Sequence, residues 1–148
     1  MKIKSYLKLM RIKHYLKNLL IFLPLIFSMS FNSLENNINT FIGFILFSFV
    51  CSIVYIINDL GDREKDKRHP KKCKRPLASG EVSKKEAYVL LIVLAIIVVI
   101  GNILINANIY SIIILLIYLV LNILYTKILK NIPLLDVICL VIGFVLRV

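Results

Sequence analysis

Residues 87–126 read AYVLLIVLAIIVVIGNILINANIYSIIILLIYLVLNILYT, 40 positions without a charged side chain. As one helix rising 1.5 Å per residue this stretch would measure about 60 Å, twice a hydrocarbon core of about 30 Å. It therefore predicts a hairpin of two membrane spans. The polar cluster Gly101, Asn102, Asn106 and Asn108 marks the turn, near Asn106 to Asn108. Upstream, 17 uncharged residues separate Lys17 from Glu35 and 23 run from Asn36 to Asn58, against the roughly 20 needed by a crossing helix. A further apolar run starts at Ile132. The expected fold is all-α, a polytopic transmembrane helix bundle with about five spans in a single domain over residues 1–148. Composition agrees: the chain is 59% hydrophobic with a mean hydropathy of +0.87, above the roughly 45–50% apolar content of soluble domains.

The charges fall outside the apolar runs and are distributed unevenly. Of the 19 basic residues, six precede the first run (Lys2, Lys4, Lys8, Arg11, Lys13, Lys17) and ten lie in residues 59–86. Lys127 and Lys130 follow the fourth run, and Arg147 completes the set. The connections near Asn32–Thr40 and Asn106–Ile109 contain neither Lys nor Arg. The positive-inside rule then predicts a multi-pass cell-membrane protein with its N-terminus and the 59–86 loop in the cytoplasm. A net charge of +11 also raises nucleic-acid binding, but the basic loop has no interleaved aromatic residues and faces headgroups, so no nucleic-acid partner is expected. Cys51 and Cys139 sit in apolar runs and Cys73 stands among lysines, which excludes zinc and disulfide chemistry. No small-residue cleavage site follows Leu19–Phe31, so the first run reads as a retained span.

The chemistry concentrates in Asn58-Asp59-Leu60-Gly61-Asp62-Arg63-Glu64-Lys65-Asp66. Asp59, Asp62 and Asp66 are spaced i, i+3 and i+7, which on a helix puts them on one face within roughly 60°. Clustered carboxylates repel unless a cation sits among them, and hard oxygen ligands suit Mg²⁺ shared with substrate phosphates. The bland alternative is a solvated helix end whose acids pair with Arg63, Lys65 and Lys67. Against it, Asp59 continues directly from an apolar span. In addition six cations follow closely: Lys67, Arg68, Lys71, Lys72, Lys74 and Arg75. Pro70 and Pro76 are expected to hold their loop extended, so that the cations converge on phosphate oxygens. Acids that hold a metal beside bases that hold phosphate make a diphosphate site. Attraction of the same cations to anionic headgroups is the plainer reading of the loop alone.

These residues resemble the UbiA superfamily of intramembrane transferases, whose motif NDxxDxxxD stands here as Asn58, Asp59, Asp62 and Asp66. The continuation HPxKxxRPxASG looks like the branch of that superfamily containing decaprenyl-phosphate phosphoribosyltransferase, and reads His69, Pro70, Lys72, Arg75, Pro76, Ala78, Ser79 and Gly80. Arg11 to Asn18 is similar to the branch's RPxxWxKN, with Ile12 in place of Pro and Tyr15 in place of Trp. Tyr125, Lys130 and Asp136 are similar to the family's connection between its fourth and fifth helices. The resemblance covers nearly the whole chain from Arg11.

The resemblance implies an enzyme. Asp59, Asp62 and Asp66 would be catalytic, holding Mg²⁺ on the diphosphate of phosphoribosyl pyrophosphate. Lys72 and Arg75 would neutralise the donor's phosphates, and Lys17, Asn18 and Asn58 would line the same pocket. A 5-phosphoribosyl group would pass to a polyprenyl phosphate such as decaprenyl phosphate. One alternative is a prenyltransferase with a prenyl diphosphate donor; another is a non-catalytic membrane subunit. A CDP-alcohol phosphotransferase ranks third, because its DG…AR core is absent. The family has about nine spans and a second Asp-rich motif, whereas this chain supplies about five and ends within the apolar run Phe144–Val148. An incomplete domain is therefore expected.

Overall fold

A computed structural model describes residues 2–127 and 133–146, with the side chains of 127, 133–136 and 140 left aside. It contains eight α-helices among the described residues: α1 Lys2–Met10, α2 Leu23–Phe27, α3 Leu34–Gly61, α4 Arg63–Lys67, α5 Pro76–Ser79, α6 Lys84–Leu104, α7 Ile109–Lys127 and α8 Pro133–Val145. Three of them, α3, α6 and α7, are long and apolar enough to cross a membrane. They correspond to the second, third and fourth expected spans, and the chain is a membrane protein.

Local chemistry sets the ends of these helices. The Ser33 hydroxyl accepts the Asn36 N–H at the start of α3. At α6, Ser83 and Glu86 form a reciprocal capping box, with 3.2 Å from Glu86 N to Ser83 Oγ and 2.8 Å from Ser83 N to Glu86 Oε2. The hairpin turn falls where the sequence places it: α6 stops at Leu104, Asn106 takes a left-handed backbone (φ 45°), and Asn108 Oδ1 accepts the Tyr110 N–H as α7 begins.

The central helix is α3. In its most apolar stretch half of the residues are buried, against 17% in α6 and 6% in α7. α6 lies close on it because Gly101 has no side chain; a Cβ there would come within 2.5 Å of Leu46. α7 packs through Tyr118, whose ring centroid is 4.6 Å from that of Phe47. The opposite faces of both helices present Ile92, Ile96, Val99, Ile103, Leu116 and Val120 outward, the surface that lipid covers.

The expected first span is not one α-helix. Residues Ile12–Phe22 wind as a 3₁₀ segment, followed by α2 and a short 3₁₀ turn, Ser30–Asn32. Left-handed Arg11 (φ 54°) and Met29 (φ 52°) bracket the segment. Two causes are visible. Pro24 has no N–H to continue an α-helical ladder. A period of three residues also aligns Tyr15, Asn18 and Ile21 on one stripe, and all three meet α3: Tyr15 bonds Ser52 at 2.8 Å, Asn18 donates to Ser48 at 3.0 Å, and Ile21 packs against the Phe47 cluster. The fifth expected run contains α8, which at 13 residues is not among the helices long enough to cross a membrane; Ile132 and Lys130 lie outside the described residues.

At one end of α3 a compact layer forms from α1, α4 and α5. Leu9, Ile56, Leu77, Val82, Ala87 and Leu94 make one buried cluster across α1, α3, α5 and α6. Polar contacts tie α1 to the loop: Lys8 Nζ donates to the Lys74 carbonyl and Ser5 Oγ to Glu81, each at 2.7 Å, and Lys2 pairs with Glu86. The N-terminal helix and the 59–86 loop therefore share one end of the molecule.

Candidate functional site

The site grows from the break between α3 and α4. The long helix ends at Gly61, Asp62 sits at the break (φ −91°, ψ 3°), and α4 starts at Arg63. The three aspartates thus do not lie along one uninterrupted helix. Asp59, on the last turn of α3, and Asp66, on α4, are 3% and 4% exposed, while Asp62 is half-buried. Buried carboxylates need compensation, and two arginines supply it. Arg75 Nη1 donates to Asp59 Oδ1 at 3.1 Å and to Asp66 Oδ2 at 2.7 Å, and Arg11 Nη2 donates to Asp59 Oδ1 at 2.8 Å. Two negative and two positive charges balance in this cluster.

Each arginine is positioned by its own stretch of chain. Arg75 precedes Pro76, which disfavours the helical backbone for it; its φ of −70° and ψ of 143° are extended. Pro76, Leu77 and Ala78 are buried as the first turns of α5, and Gly80 (φ 85°) ends that helix in a conformation that glycine adopts at no steric cost. Arg63 Nε donates to the Leu77 carbonyl at 2.9 Å, which fastens α5 to α4. Arg11 sits in the left-handed region between α1 and the 3₁₀ segment, and its guanidinium lies 4.4 Å over the Tyr55 ring. His14 packs edge-on to the same ring. Partial burial, with Arg11 and Lys17 nearby, holds the His14 imidazole below its ordinary 6.5, so it is neutral at pH 7.

The basic loop is not extended, and most of its cations do not converge. His69 Nδ1 accepts the N–H groups of Lys71 and Lys72 (3.2 and 3.3 Å), which curls the chain into the 3₁₀ turn Lys72–Lys74. Lys67 pairs with Glu64. Arg68, Lys71, Lys72 and Lys74 are exposed. Of the six cations, Arg75 is the one that bridges Asp59 and Asp66.

The other expected pocket residues divide. Lys17 and Asn58 line a cavity of about 220 Å³ together with Tyr55, Tyr118, Asn122 and Tyr125; Asp59 follows Asn58 in the chain. Asn18 does not join them: it is 2% exposed and bonds to Ser48, about 16 Å along α3 from Asp59 at 1.5 Å per residue. Its amide fastens the 3₁₀ segment to α3. The side chain of Asp136 lies outside the described residues. Sequence reasoning did not assign Arg11 and Tyr55 to the site. The signal was available in the need of a buried acid at a span end for a countercharge from elsewhere in the chain.

Carboxylate oxygens are the ligands that Mg²⁺ prefers, often one or two of them beside phosphates, and the space between Asp59 and Asp66 already accommodates a cationic group. The donor set therefore fits a hard divalent ion. Among the described residues no group of three acids, His or Cys is gathered to hold one.

The model of the UbiA prenyltransferase family matches residues 19–148. Decaprenyl-phosphate phosphoribosyltransferase of Mycobacterium tuberculosis is 35% identical over 72 residues, 49% of this chain and 24% of that protein. Nodulation protein NoeC of Azorhizobium caulinodans is 40% identical over 80 residues, 53% of this chain and 25% of that protein. 4-Hydroxybenzoate octaprenyltransferase of Shewanella pealeana is 35% identical over 99 residues, 64% of this chain and 34% of that protein. The matched stretch thus spans about a quarter to a third of these relatives. With a family match over most of its length, a helical membrane architecture and an aspartate cluster at the end of its central span, the chain belongs to the UbiA prenyltransferase family.

Proposed function

We propose that this chain carries the donor site of a membrane transferase that moves a 5-phosphoribosyl group from phosphoribosyl pyrophosphate to a polyprenyl phosphate. The observation that carries this reading is the buried Asp59–Arg75–Asp66 bridge: acids fit for a divalent ion, joined by a guanidinium fit for phosphate. The string from His69 to Gly80 and the similarity to decaprenyl-phosphate phosphoribosyltransferase support the phosphoribosyl donor.

Asp59 and Asp66 would hold Mg²⁺, with Asp62 at the helix break between them as the further acid of the motif; the ion when bound would supply Lewis-acid polarisation of the diphosphate. Arg75 offers planar, paired N–H groups to phosphate oxygens, a geometry that favours guanidinium over ammonium. Arg11 orients Asp59 through its 2.8 Å contact to Oδ1. An oxygen of the polyprenyl phosphate attacks the anomeric carbon of the ribose, the bond from that carbon to the diphosphate breaks, and pyrophosphate leaves with its charge neutralised. The attacking oxygen is already anionic and requires no base. Lys17 and Asn58, which share one cavity, would receive the acceptor's phosphate. The excess of basic residues at the α1 and loop end puts that end, and the N-terminus, in the cytoplasm, where a soluble donor is available while a lipid enters between helices.

A prenyl diphosphate donor is the second reading, favoured by the octaprenyltransferase relative, whose match covers the larger share of this chain. Incubating the full-length protein with polyprenyl phosphate and labelled phosphoribosyl pyrophosphate separates the two. Label is expected in the lipid fraction and lost in Asp62→Asn. Consumption of labelled prenyl diphosphate, with no phosphoribosyl transfer, would replace the first reading by the second.

A further inference from the structure

We infer that Arg75 stands in for a divalent ion between Asp59 and Asp66, and that it yields this place only to an ion arriving with a diphosphate. The inference rests on the reading of these acids as a diphosphate site. It adds a condition to that reading: the ion alone is refused.

Three observations carry it. First, a single nitrogen, Arg75 Nη1, reaches both carboxylates, at 3.1 and 2.7 Å. The acids come from different helices across the break at Asp62 and are drawn to within the width of one guanidinium. Their side chains are only 4% and 5% exposed, so without a cation between them two buried like charges would face each other.

Second, the charges of the bridged pair already balance. Asp59 and Asp66 are offset by Arg11 and Arg75, so a divalent ion entering this pair alone would bring two further positive charges beside two guanidiniums. A diphosphate removes that excess. It also gives Arg75 oxygen partners of the same kind as those it leaves.

Third, the two arginines are mounted differently. Arg11 is held by its left-handed backbone, by stacking 4.4 Å over Tyr55 and by Asp59. The backbone of Arg75 is fixed by the buried turn of Pro76, Leu77 and Ala78, but its side chain has no aromatic ring stacked on it among the described residues and bonds to the two acids. Arg75 can swing on a fixed base, while Arg11 stays as the positioning residue of Asp59.

By linkage, an ion and a diphosphate that both depend on one displaced guanidinium must strengthen each other's binding by the same factor. The test is the amount of protein-bound Mn²⁺, an oxygen-ligand stand-in for Mg²⁺ that is visible by electron paramagnetic resonance, in the detergent-solubilised full-length protein with and without inorganic pyrophosphate. For the native protein, pyrophosphate should tighten Mn²⁺ binding at least tenfold. For Arg75→Gln, Mn²⁺ alone should bind at least tenfold more tightly than to the native protein, and the gain from pyrophosphate should fall below threefold. Arg75→Lys keeps a cation at the site and should retain a gain above threefold, which guards against misfolding of the Gln variant. Native protein that binds Mn²⁺ equally with and without pyrophosphate would overturn the inference and leave the metal site standing. Absence of Mn²⁺ binding in every combination would instead remove the diphosphate-site reading and the inference with it.

Discussion

The end layer of α1, α4 and α5 and the α6–α7 hairpin are built on opposite rules. The hairpin is almost charge-free, turns Ile92, Ile96, Val99 and Ile103 outward, and buries little of itself. The end layer is rich in charge yet hides its apolar side chains, with Leu9 and Leu77 wholly buried and Val82 nearly so. Lipid does the covering in the first region, and the protein does it in the second. The difference teaches where a substitution is costly. A large apolar residue counts for little on the hairpin's outer face and for much under the basic loop, because only the latter holds Arg75 and Asp66 in place.

The sharpest contrast pairs Leu77→Ala with Ile103→Ala. Leu77 is 0% exposed and Ile103 67%. Losing Leu77 opens a cavity under α5 and should cost about 3–4 kcal/mol, whereas Ile103→Ala should stay within about 0.5 kcal/mol. Thermal unfolding of the purified protein reads both, and equal shifts would break the contrast. Next, Asp59→Ala leaves Arg11 and Arg75 competing for one remaining acid. The guanidiniums keep about a quarter of their exposure, so the expected loss is about 2–3 kcal/mol, below the full cost of orphaning a buried charge. Transfer activity should fall by at least about a hundredfold through loss of electrostatic stabilisation; retained activity would show that Asp59 is structural.

Within the hairpin the one sensitive point is its contact with α3. Gly101→Leu drives a side chain into Leu46, whose atoms lie 2.5 to 3.3 Å from where a Cβ would stand, and should cost about 1–3 kcal/mol by overpacking. Stability equal to the native protein would show that α3 and α6 separate easily. The smallest effect is expected at Lys72. Exposed on the curled loop, it should tolerate Ala within about 0.5 kcal/mol, with less than threefold change in donor KM, against a much larger rise for Arg75→Ala. Comparable rises would return Lys72 to the site.

Which features were legible in the sequence follows the same divide. Charge-free length announced the α6–α7 hairpin and the Asn106–Asn108 turn, because lipid imposes one simple rule along the whole stretch. The aspartates and Arg75 were legible as residues but not as a geometry. Their spacing implied one helical face, whereas a helix break at Asp62 and a guanidinium from nine residues beyond Asp66 arrange them instead. Arg11 comes from 48 residues before Asp59, and no local period connects the two. The winding of the first apolar run is not legible in the sequence, because a run of apolar residues does not distinguish a 3₁₀ winding from an α-helix. The choice was made by Tyr15, Asn18 and Ile21 meeting α3. Asn18 is expected in the pocket from the resemblance of Arg11–Asn18 to the family motif, whereas in the fold its amide bonds Ser48.

The account stands on Asp59 and Asp66 acting as one acidic pair for a phosphate-bound ion. Counting Mn²⁺ retained per protein in the presence of saturating pyrophosphate, for the native chain and for Asp66→Asn, examines that pair directly. About one pyrophosphate-dependent ion on the native protein and at least tenfold weaker retention by Asp66→Asn are the expected results. Equal retention by both would contradict the account, leaving Asp66 as no more than the counterion of Arg75.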